Sequence, residues 1–243
     1  MNGNVAIIPA RGGSKRIPRK NIVVFEGLPL IGHAIQVAKD CGLFEKIIVT
    51  TDDEEISYTA IQFGAEVPRF RSNTLSDDFT STVDVIADAI GEEWLGNWMP
   101  EFVCCIYPAT PLLMPNHIIA GYEKIIQGEQ SYVFPAVSFS EPIERSFKLN
   151  KEGRIILNYP NNTLTRTQDL QKSFFDAGQF YWGSYQTWSQ KVTIHNDNSI
   201  AIPYSKLELI DIDNIEDLIM ANCIHTMREK TKHHEVQSKN NQS

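Results

Sequence analysis

Five cations and two adjacent glycines crowd the segment PARGGSKRIPRKN, which runs from Pro9 to Asn21. The chain as a whole is acidic, with 22 Lys and Arg against 30 Asp and Glu. Gly12 and Gly13 allow close approach of the backbone to a ligand, and arginine matches phosphate oxygens with two parallel hydrogen bonds. The segment therefore predicts a loop that binds an anion with several phosphates, and the alternative is a solvated basic loop. Its cations are Arg11, Lys15, Arg16, Arg19 and Lys20.

A second candidate for chemistry is the segment LIDIDN, in which Asp211 and Asp213 are two residues apart. In an extended chain, residues at this spacing project from one face, so both carboxylates would point the same way. Near bound phosphates such a pair suits Mg²⁺, which is usually held by one or two carboxylates together with phosphate oxygens. The alternative is structural: Asp213, followed by Glu216 three positions on, resembles the cap of a helix.

Other kinds of site are not supported by the sequence. GGSK does not match GxxxxGK[ST], and no GxGxxG follows the first apolar run, which excludes the common dinucleotide-binding dehydrogenases. The six histidines lack metal-ligand spacing, and no Ser/His/Asp set can be assembled. A net charge of −8 argues against a surface that coats nucleic acid. Four cysteines without CxxC spacing indicate buried thiols in a reducing compartment, and no secretory or membrane-spanning run is present, so we expect a cytoplasmic protein.

Short apolar runs alternate with helical patterns through the first half of the chain. VAII (residues 5–8), KIIVTT (46–51) and FVCCIY (102–107) predict buried strands. Asp52 is expected to cap the helix after the second strand. This alternation predicts an α/β fold with a mostly parallel sheet covered on both faces, and it places the basic loop after the first strand, where such sheets bind ligands.

The pattern changes after about residue 131, where three strand-like runs are joined by turns. We therefore expect residues 131–183 to form an inserted, more antiparallel element, a lid or a dimer arm. The α/β pattern returns before LIDIDN, and residues 1–228 are predicted to form one domain. The polar residues 229–243 lack apolar periodicity and are expected to be a disordered tail.

Five motifs in a fixed order resemble one enzyme family. They are PARGGSKRIPRKN, TTDDEEI, FRSNTLSDD, YPATPL and IDIDN. Together they are similar to the cytidylyltransferases that activate nonulosonic acids, the CMP-sialic acid synthetase group. RTQDL and DAGQFYWG within residues 165–183 resemble the branch that acts on pseudaminic acid, as does Tyr107, which stands where N-acetylneuraminate enzymes usually carry Gln. The resemblance implies a three-layer, Rossmann-like nucleotidyltransferase (GT-A-like) fold with a dimerisation insertion.

The resemblance also implies roles for individual residues. Asp211 and Asp213 would hold Mg²⁺, although Asp211 could instead be the catalytic base, and Arg11 and Lys20 would stabilise charge on the reacting phosphates. Arg166 would bind the sugar carboxylate, unless it only forms a surface pair with Asp169. Gln179 and Tyr181 alternate on a strand and would line the sugar pocket with Tyr107. The implied CTP-binding residues are Ala10, Arg11, Gly13, Ser14, Lys15, Lys20, Asn21 and Arg71, of which Arg71 could alternatively be a surface residue.

The implied reaction joins CTP and pseudaminic acid to give CMP-pseudaminic acid and pyrophosphate. N-acetylneuraminic, legionaminic and 3-deoxy-manno-octulosonic acids are alternative substrates. A non-catalytic nucleotide-binding homologue is a different class of protein, but such a homologue would usually have lost the basic loop or the carboxylate pair. A homodimer and a pathway of flagellin or surface glycosylation are expected from the resemblance.

Overall fold

A seven-stranded sheet forms the centre of the fold in the computed structural model, which describes residues 3–240 and their side chains as far as residue 231. The strands are β1 (Asn4–Pro9), β2 (Val24–Phe25), β3 (Leu28–Pro29), β4 (Lys46–Thr50), β5 (Phe102–Ile106), β6 (Tyr132–Ser138), β7 (Phe147–Leu149), β8 (Ile155–Leu157), β9 (Phe174–Asp176), β10 (Phe180–Ser184) and β11 (Ile200–Tyr204). The helices are α1 (Leu30–Asp40), α2 (Glu54–Gln62), α3 (Thr82–Ala89), α4 (Glu92–Leu95), α5 (Pro115–Ile125), α6 (Tyr185–Ser189) and α7 (Ile215–Asn240).

The central sheet has the order β11-β6-β10-β5-β1-β4, and β9 pairs with β6 beside this path. β1 lies between β4 and β5 and is parallel to both, and β11 is parallel to β6. β10 is antiparallel to both β5 and β6. The three predicted strands of the first half are therefore confirmed, and they form the parallel part of a mixed sheet.

Both faces of the sheet are covered by helices, which confirms the predicted three-layer α/β fold. Along β1, Ala6 and Ile8 face α1, α2 and α5, whereas Val5 and Ile7 face α3, α4 and α6. This alternation is the two-residue period of a strand. Phe180 and Trp182 are fully buried in β10 and belong to the core.

A third apolar cluster, at the edge where β1 and β5 end, joins the basic loop to the carboxylate segment. Ile17 of the basic loop and Ile212, between Asp211 and Asp213, are both buried in it, together with residues of α1 and α7. Burying an aliphatic side chain stabilises a fold by roughly 1.5–3 kcal/mol. The hydrophobic effect thus brings together two segments that lie almost 200 positions apart in the chain.

The element predicted at residues 131–183 has narrower bounds in the structure. Its outer strands, β6 and β10, are buried members of the central sheet rather than part of an insertion. The projecting part is the segment 139–173, which carries the β7–β8 hairpin and which we call the arm. A strand pattern in the sequence shows that a segment is extended but not which sheet it joins. The predicted element therefore included β6 and β10, which belong to the central sheet.

The tail prediction also changes. α7 continues through Asn240, so residues 229–240 are helical rather than disordered, and residues 241–243 lie outside the described residues. Without apolar periodicity this segment has no apolar face to pack against the domain. It nevertheless contains no Gly or Pro and is rich in Lys, Glu and Gln, which favour helix.

The cysteines of the described chain form no disulfide, in agreement with the prediction of free thiols. Cys41, Cys104 and Cys105 are buried, but Cys223 is exposed on α7, which corrects the expectation that all four are buried. Among the described helices, none combines the length and the apolar character needed to cross a bilayer.

Candidate active site

A cavity of about 550 Å³ opens at the carboxyl ends of β1 and β5. Its walls come from the basic loop, from the segment between Arg71 and Val85, from the turn after β5, and from the two carboxylates. The residues singled out from the sequence that line it are Arg11, Ser14, Lys15, Lys20, Asn21, Arg71, Tyr107, Asp211 and Asp213. Open α/β sheets bind ligands at this position because the loops that follow adjacent parallel strands meet there.

The backbone of the basic loop is held from behind by hydrogen bonds. The N–H of Gly12 donates to Asp52 Oδ1 at 2.9 Å, so it is not free to meet a ligand. Asn21 is buried and its Nδ2 donates to the carbonyl of Arg11 at 2.9 Å, which gives Asn21 a supporting role within the cavity wall. Ala10 is fully buried, and Gly13 has open space where a side chain would stand.

Asp52 is free for this contact because it does not cap α2, contrary to the sequence expectation. The cap is Asp53, whose Oδ1 accepts from the N–H groups of Glu55 and Ile56 at 3.0 Å. Gly12 also packs closely here, since a Cβ at that position would lie 2.7 Å from Asp53 Oδ2. The TTDDEEI segment therefore fixes the shape of the basic loop.

Asp211 and Asp213 both line the cavity, but they do not lie on a strand. β11 ends at Tyr204, and the segment that carries them is irregular. Buried Ile212 between them keeps both carboxylates on the cavity side. The cap of α7 is Asn214, which accepts from the N–H groups of Glu216 and Asp217. Asp213 is thus not the helix cap, and its carboxylate faces the basic loop instead.

Lys20 joins the two clusters directly. Its Nζ donates to the carbonyl of Ile212 at 2.6 Å and lies 3.3 Å from Asp213 Oδ1. Arg16 Nη2 lies 2.9 Å from the same carboxylate oxygen. Burial, together with the negative charge of Asp213, raises the pKa of Asp211 to about 7, and Lys20 opposes this rise. The folded protein therefore disfavours the ionised form of Asp211 in the absence of a ligand.

Arg71 lies in the wall of the cavity and is only 5% exposed, which removes the interpretation as a surface arginine. Its Nε donates to Ser76 Oγ at 3.2 Å, and its Nη2 lies 4.0 Å from Asp52 Oδ1. Burial lowers the pKa of this guanidinium. Asp52 thus lies between the basic loop and Arg71.

The residues expected at the sugar are only partly brought together. Tyr107 lines the cavity, and its hydroxyl lies 2.7 Å from Thr82 Oγ1. Tyr181 is buried behind it with ring centroids 5.4 Å apart, and its hydroxyl donates to Asp176 at 2.9 Å. Gln179 is fully buried outside the cavity wall, and among the described residues its Oε1 has no hydrogen-bond partner.

Arg166 lies on the exposed arm, away from the cavity lining of its own chain. Its Nε donates to Asp169 Oδ2 at 2.7 Å, so the chain by itself shows the surface ion pair considered as the alternative. Arg145 holds this part of the arm by donating to the carbonyls of Asn162, Thr163 and Thr165.

Two structural features of the site escaped the sequence analysis. The motif FRSNTLSDD pointed to this segment, but no role was assigned to Asp77 or Asp78, which the turn 76–80 places in the cavity wall together with Thr80. Gly178, at φ +60°, packs against Asp211, since a Cβ there would lie 2.8 Å from Asp211 Oδ2. No sequence signal indicated that contact.

Comparison with known proteins finds relatives that span nearly the whole chain. A family model described as Cytidylyltransferase matches residues 5–237. The pseudaminic acid cytidylyltransferase of Campylobacter jejuni is 38% identical over 228 residues, which cover 94% of this chain and 98% of that protein. N-acylneuraminate cytidylyltransferase A of Danio rerio is 32% identical over 189 residues, 76% of this chain and 42% of that protein.

Among solved structures, CMP:2-keto-3-deoxy-manno-octonic acid synthetase complexed with CTP superposes with a TM-score of 0.68. The match covers 93% of this chain and 99% of that one at 15% identity, so it shows a shared fold. The family model covers most of the chain, and the Campylobacter jejuni protein is similar over nearly the full length of both proteins. The chain belongs to the cytidylyltransferase family.

Proposed function

We propose that the protein transfers CMP from CTP to the anomeric hydroxyl of pseudaminic acid, releasing pyrophosphate. The observation that carries the proposal is the contact of Lys20 with the segment that bears Asp211 and Asp213, which puts the cations and the carboxylates in one cavity. The choice of sugar is supported by the similarity over 98% of the length of a pseudaminic acid enzyme. The match to N-acylneuraminate enzymes is weaker and shorter.

The side chains of the cavity suit this reaction. We assign the cations of the basic loop to binding and orienting the triphosphate, and Arg71, in the same cavity wall, to the base. The sugar hydroxyl attacks the α-phosphorus, the bond from that phosphorus to the bridging oxygen breaks, and the cations stabilise the charge that develops on the leaving pyrophosphate.

Asp211 and Asp213 fit a divalent cation. Two carboxylates, one of them half-buried, line the same cavity. No cluster of three or more His, Cys, Asp or Glu in the described residues could hold a metal ion by itself, so the other ligands would come from phosphate oxygens and water. Mg²⁺ bound there with the nucleotide would polarise the α-phosphate. Asp211 is also close enough to the cavity to accept the hydroxyl proton, which is its alternative role.

The test is product formation from CTP with four sugar acids: pseudaminic, legionaminic, N-acetylneuraminic and 3-deoxy-manno-octulosonic. Mass spectrometry should detect CMP-pseudaminic acid as the fastest product, with pyrophosphate released only when both substrates and Mg²⁺ are present. Faster turnover of another acid would change the assigned substrate, and equal use of ATP or GTP would remove the cytidine assignment. A chain that binds CTP but turns over none of the acids would be the non-catalytic homologue.

We also propose a homodimer in which the arm of one chain reaches the site of the other. Phe147, Leu149, Ile155 and Leu157 share one face of the β7–β8 hairpin and are all exposed, and Leu164 nearby is 97% exposed. A two-stranded hairpin is marginally stable alone, and an apolar face of this kind marks an interaction site. A second copy is the fitting partner, because it would take Arg166 to a cavity that its own chain does not offer it.

Replacing both Leu149 and Ile155 by lysine is expected to convert a dimer of about twice 27.5 kDa into a monomer, because the charged groups could not be buried in the interface. Light scattering measures the mass, and Lys148→Ser on the opposite face of the hairpin is the matched control. A monomeric wild type would contradict the proposal without affecting the chemistry. Mixing inactive Lys20→Met and Arg166→Ala chains should restore activity if the arm serves the partner's site.

The reaction is proposed to take place in the cytoplasm, where CTP is available and where the unpaired thiols of the described chain would remain reduced. The product would then supply glycosylation of flagellin or another surface glycan.

A further inference from the structure

A carboxylate occupies the space between two cations of the basic loop. Asp78 Oδ1 lies 2.7 Å from Arg11 Nη1, and its other oxygen accepts from Lys15 Nζ. Arg11 Nη1 also donates to the backbone carbonyl of Asp77 at 2.8 Å. All of these residues line the cavity described above. An anionic group of the protein therefore lies where the proposed function requires phosphate oxygens.

The turn that carries Asp78 is built to present this carboxylate. The neighbouring Asp77 is used within the turn itself, where its Oδ1 accepts from the N–H groups of Phe79 and Thr80 at 2.9 and 2.7 Å and from the Thr80 hydroxyl at 2.7 Å. Asp78 has no such local bond described and points to the cations instead. Phe79 at the tip is 94% exposed, so little packing holds the turn against the loop.

Every cation of the basic loop has a carboxylate partner in this state. Arg16 and Lys20 pair with Asp213, and Arg19 pairs with Asp53. Arg11 and Lys15 share Asp78, and these two cations lower the pKa of its carboxyl group, which keeps it ionised at neutral pH. A polyphosphate that binds to Arg11 and Lys15 must therefore compete with Asp78.

We propose that Asp78 is an internal competitor of the polyphosphate: it pairs with Arg11 and Lys15 in the free protein and offsets part of their charge, is displaced when CTP binds, and returns to help expel pyrophosphate. The inference rests on the proposed function, because it takes the polyphosphate to be that of CTP. Exposed ion pairs are weak, so displacement costs little, yet the negative charge opposes every phosphate group that approaches the loop. Asp78 thus weakens substrate binding and speeds product release.

A role for Asp78 in positioning the cations and its proposed role as a competitor predict opposite changes in phosphate binding, so one measurement distinguishes them. If Asp78 instead positioned Arg11 and Lys15 for the ligand, its removal would weaken phosphate binding. Asp78→Asn keeps the size of the side chain and removes its charge. Asp197→Asn, at an exposed residue in the loop before β11, makes the same chemical change away from the cavity and is the matched control.

The experiment measures binding of pyrophosphate and of cytidine by titration calorimetry, with Mg²⁺ held constant. We expect Asp78→Asn to lower the Kd for pyrophosphate by about 3- to 10-fold, with no change for cytidine, which lacks phosphates. The difference should shrink at high salt, because exposed charges are screened. In the proposed reaction, KM for CTP and the inhibition constant of pyrophosphate should both fall, and kcat should not rise.

Equal or weaker pyrophosphate binding by folded Asp78→Asn would overturn the inference, and Asp78→Ser provides a second variant if the first is unstable. The two proposals fail in different ways. A wild-type protein that makes the CMP-sugar while Asp78→Asn binds no tighter loses only the inference. A wild-type protein that makes no CMP-sugar, although Asp78→Asn binds pyrophosphate more tightly, loses only the proposed function. Absence of pyrophosphate binding to any variant would remove both.

Discussion

Replacing Lys20 by methionine is expected to lower kcat/KM for CTP by about 10²- to 10³-fold, the usual effect of removing one preorganised group that stabilises transition-state charge. Lys20 of the basic loop donates to the carbonyl of Ile212 and lies beside Asp213, and Arg16 is the other cation of the loop beside that carboxylate. Methionine keeps most of the length of the side chain and removes its charge. The loss should therefore appear mainly in kcat, with a smaller change in KM.

The matched control is Lys124→Met, at an exposed position on α5. A second readout separates electrostatics from disrupted packing: Lys20 opposes the rise in the pKa of Asp211, so its removal should move the acidic limb of the residual pH–rate profile to higher pH. A Lys20→Met enzyme that kept more than a tenth of wild-type kcat/KM would show that the contact is not part of the catalytic machinery.

The sequence was sufficient to predict the parts of the site that are local. Gly12 and the cations around it lie within one short segment after a strand, and the position of such a loop follows from the α/β pattern alone. The carboxylates were likewise predicted to share a face from their spacing. That expectation held although the segment is not a strand, because buried Ile212 orients its two neighbours in the same way.

What escaped prediction depends on contacts between distant segments. Asp52, 40 positions after Gly12, accepts the hydrogen bond from the Gly12 N–H, and nothing within the basic loop indicated that contact. Lys20 lies beside Asp213 because Ile17 and Ile212 pack in one cluster, and neither segment by itself indicated that contact. Asp78 could not be recognised as a partner of Arg11 since nothing in either segment specifies their distance.

The arm shows a further reason. Arg166 was assigned to the sugar by resemblance, and the single chain leaves it exposed beside Asp169. A residue that acts at a partner's site does not line the cavity of its own chain. Neither the periodicity of the sequence nor the fold of one chain can therefore test its role. The surface pair with Asp169 is what the single chain shows, and the role at the sugar depends on the proposed dimer, in which another copy covers the exposed apolar face of the β7–β8 hairpin.

Replacing Asp211 by asparagine is expected to have opposite effects on activity and on stability. Activity should fall by about 10²-fold or more, since a carboxylate that holds the metal ion or accepts the proton is lost. In the absence of divalent cations, however, the variant should unfold at a higher temperature than the wild type at pH 8. Burial and the charge of Asp213 disfavour the ionised form of Asp211 in the folded protein, and asparagine removes that charge.

The sign of the pH dependence follows from the two pKa values of Asp211. In the folded state the pKa is raised to about 7, whereas an unfolded aspartate titrates near about 3.9. Between these values the folded protein binds more protons than the unfolded chain, so this group makes stability fall as pH rises through the window. The stability advantage of Asp211→Asn should therefore be full above pH 7 and should diminish towards pH 4.

Thermal unfolding in EDTA and in Mg²⁺ separates two consequences of Asp211→Asn, the removal of a disfavoured charge and the loss of a metal ligand. Mg²⁺ should raise the melting temperature of the wild type, because an ion that binds only the folded state stabilises it, and it should do so much less for Asp211→Asn. Asp197→Asn should behave as the wild type in both buffers. A wild-type melting temperature that did not respond to Mg²⁺, with or without CTP, would remove the metal from Asp211. An Asp211→Asn enzyme with full activity would remove both roles, since neither a ligand of the ion nor a proton acceptor can be replaced by a neutral amide without loss.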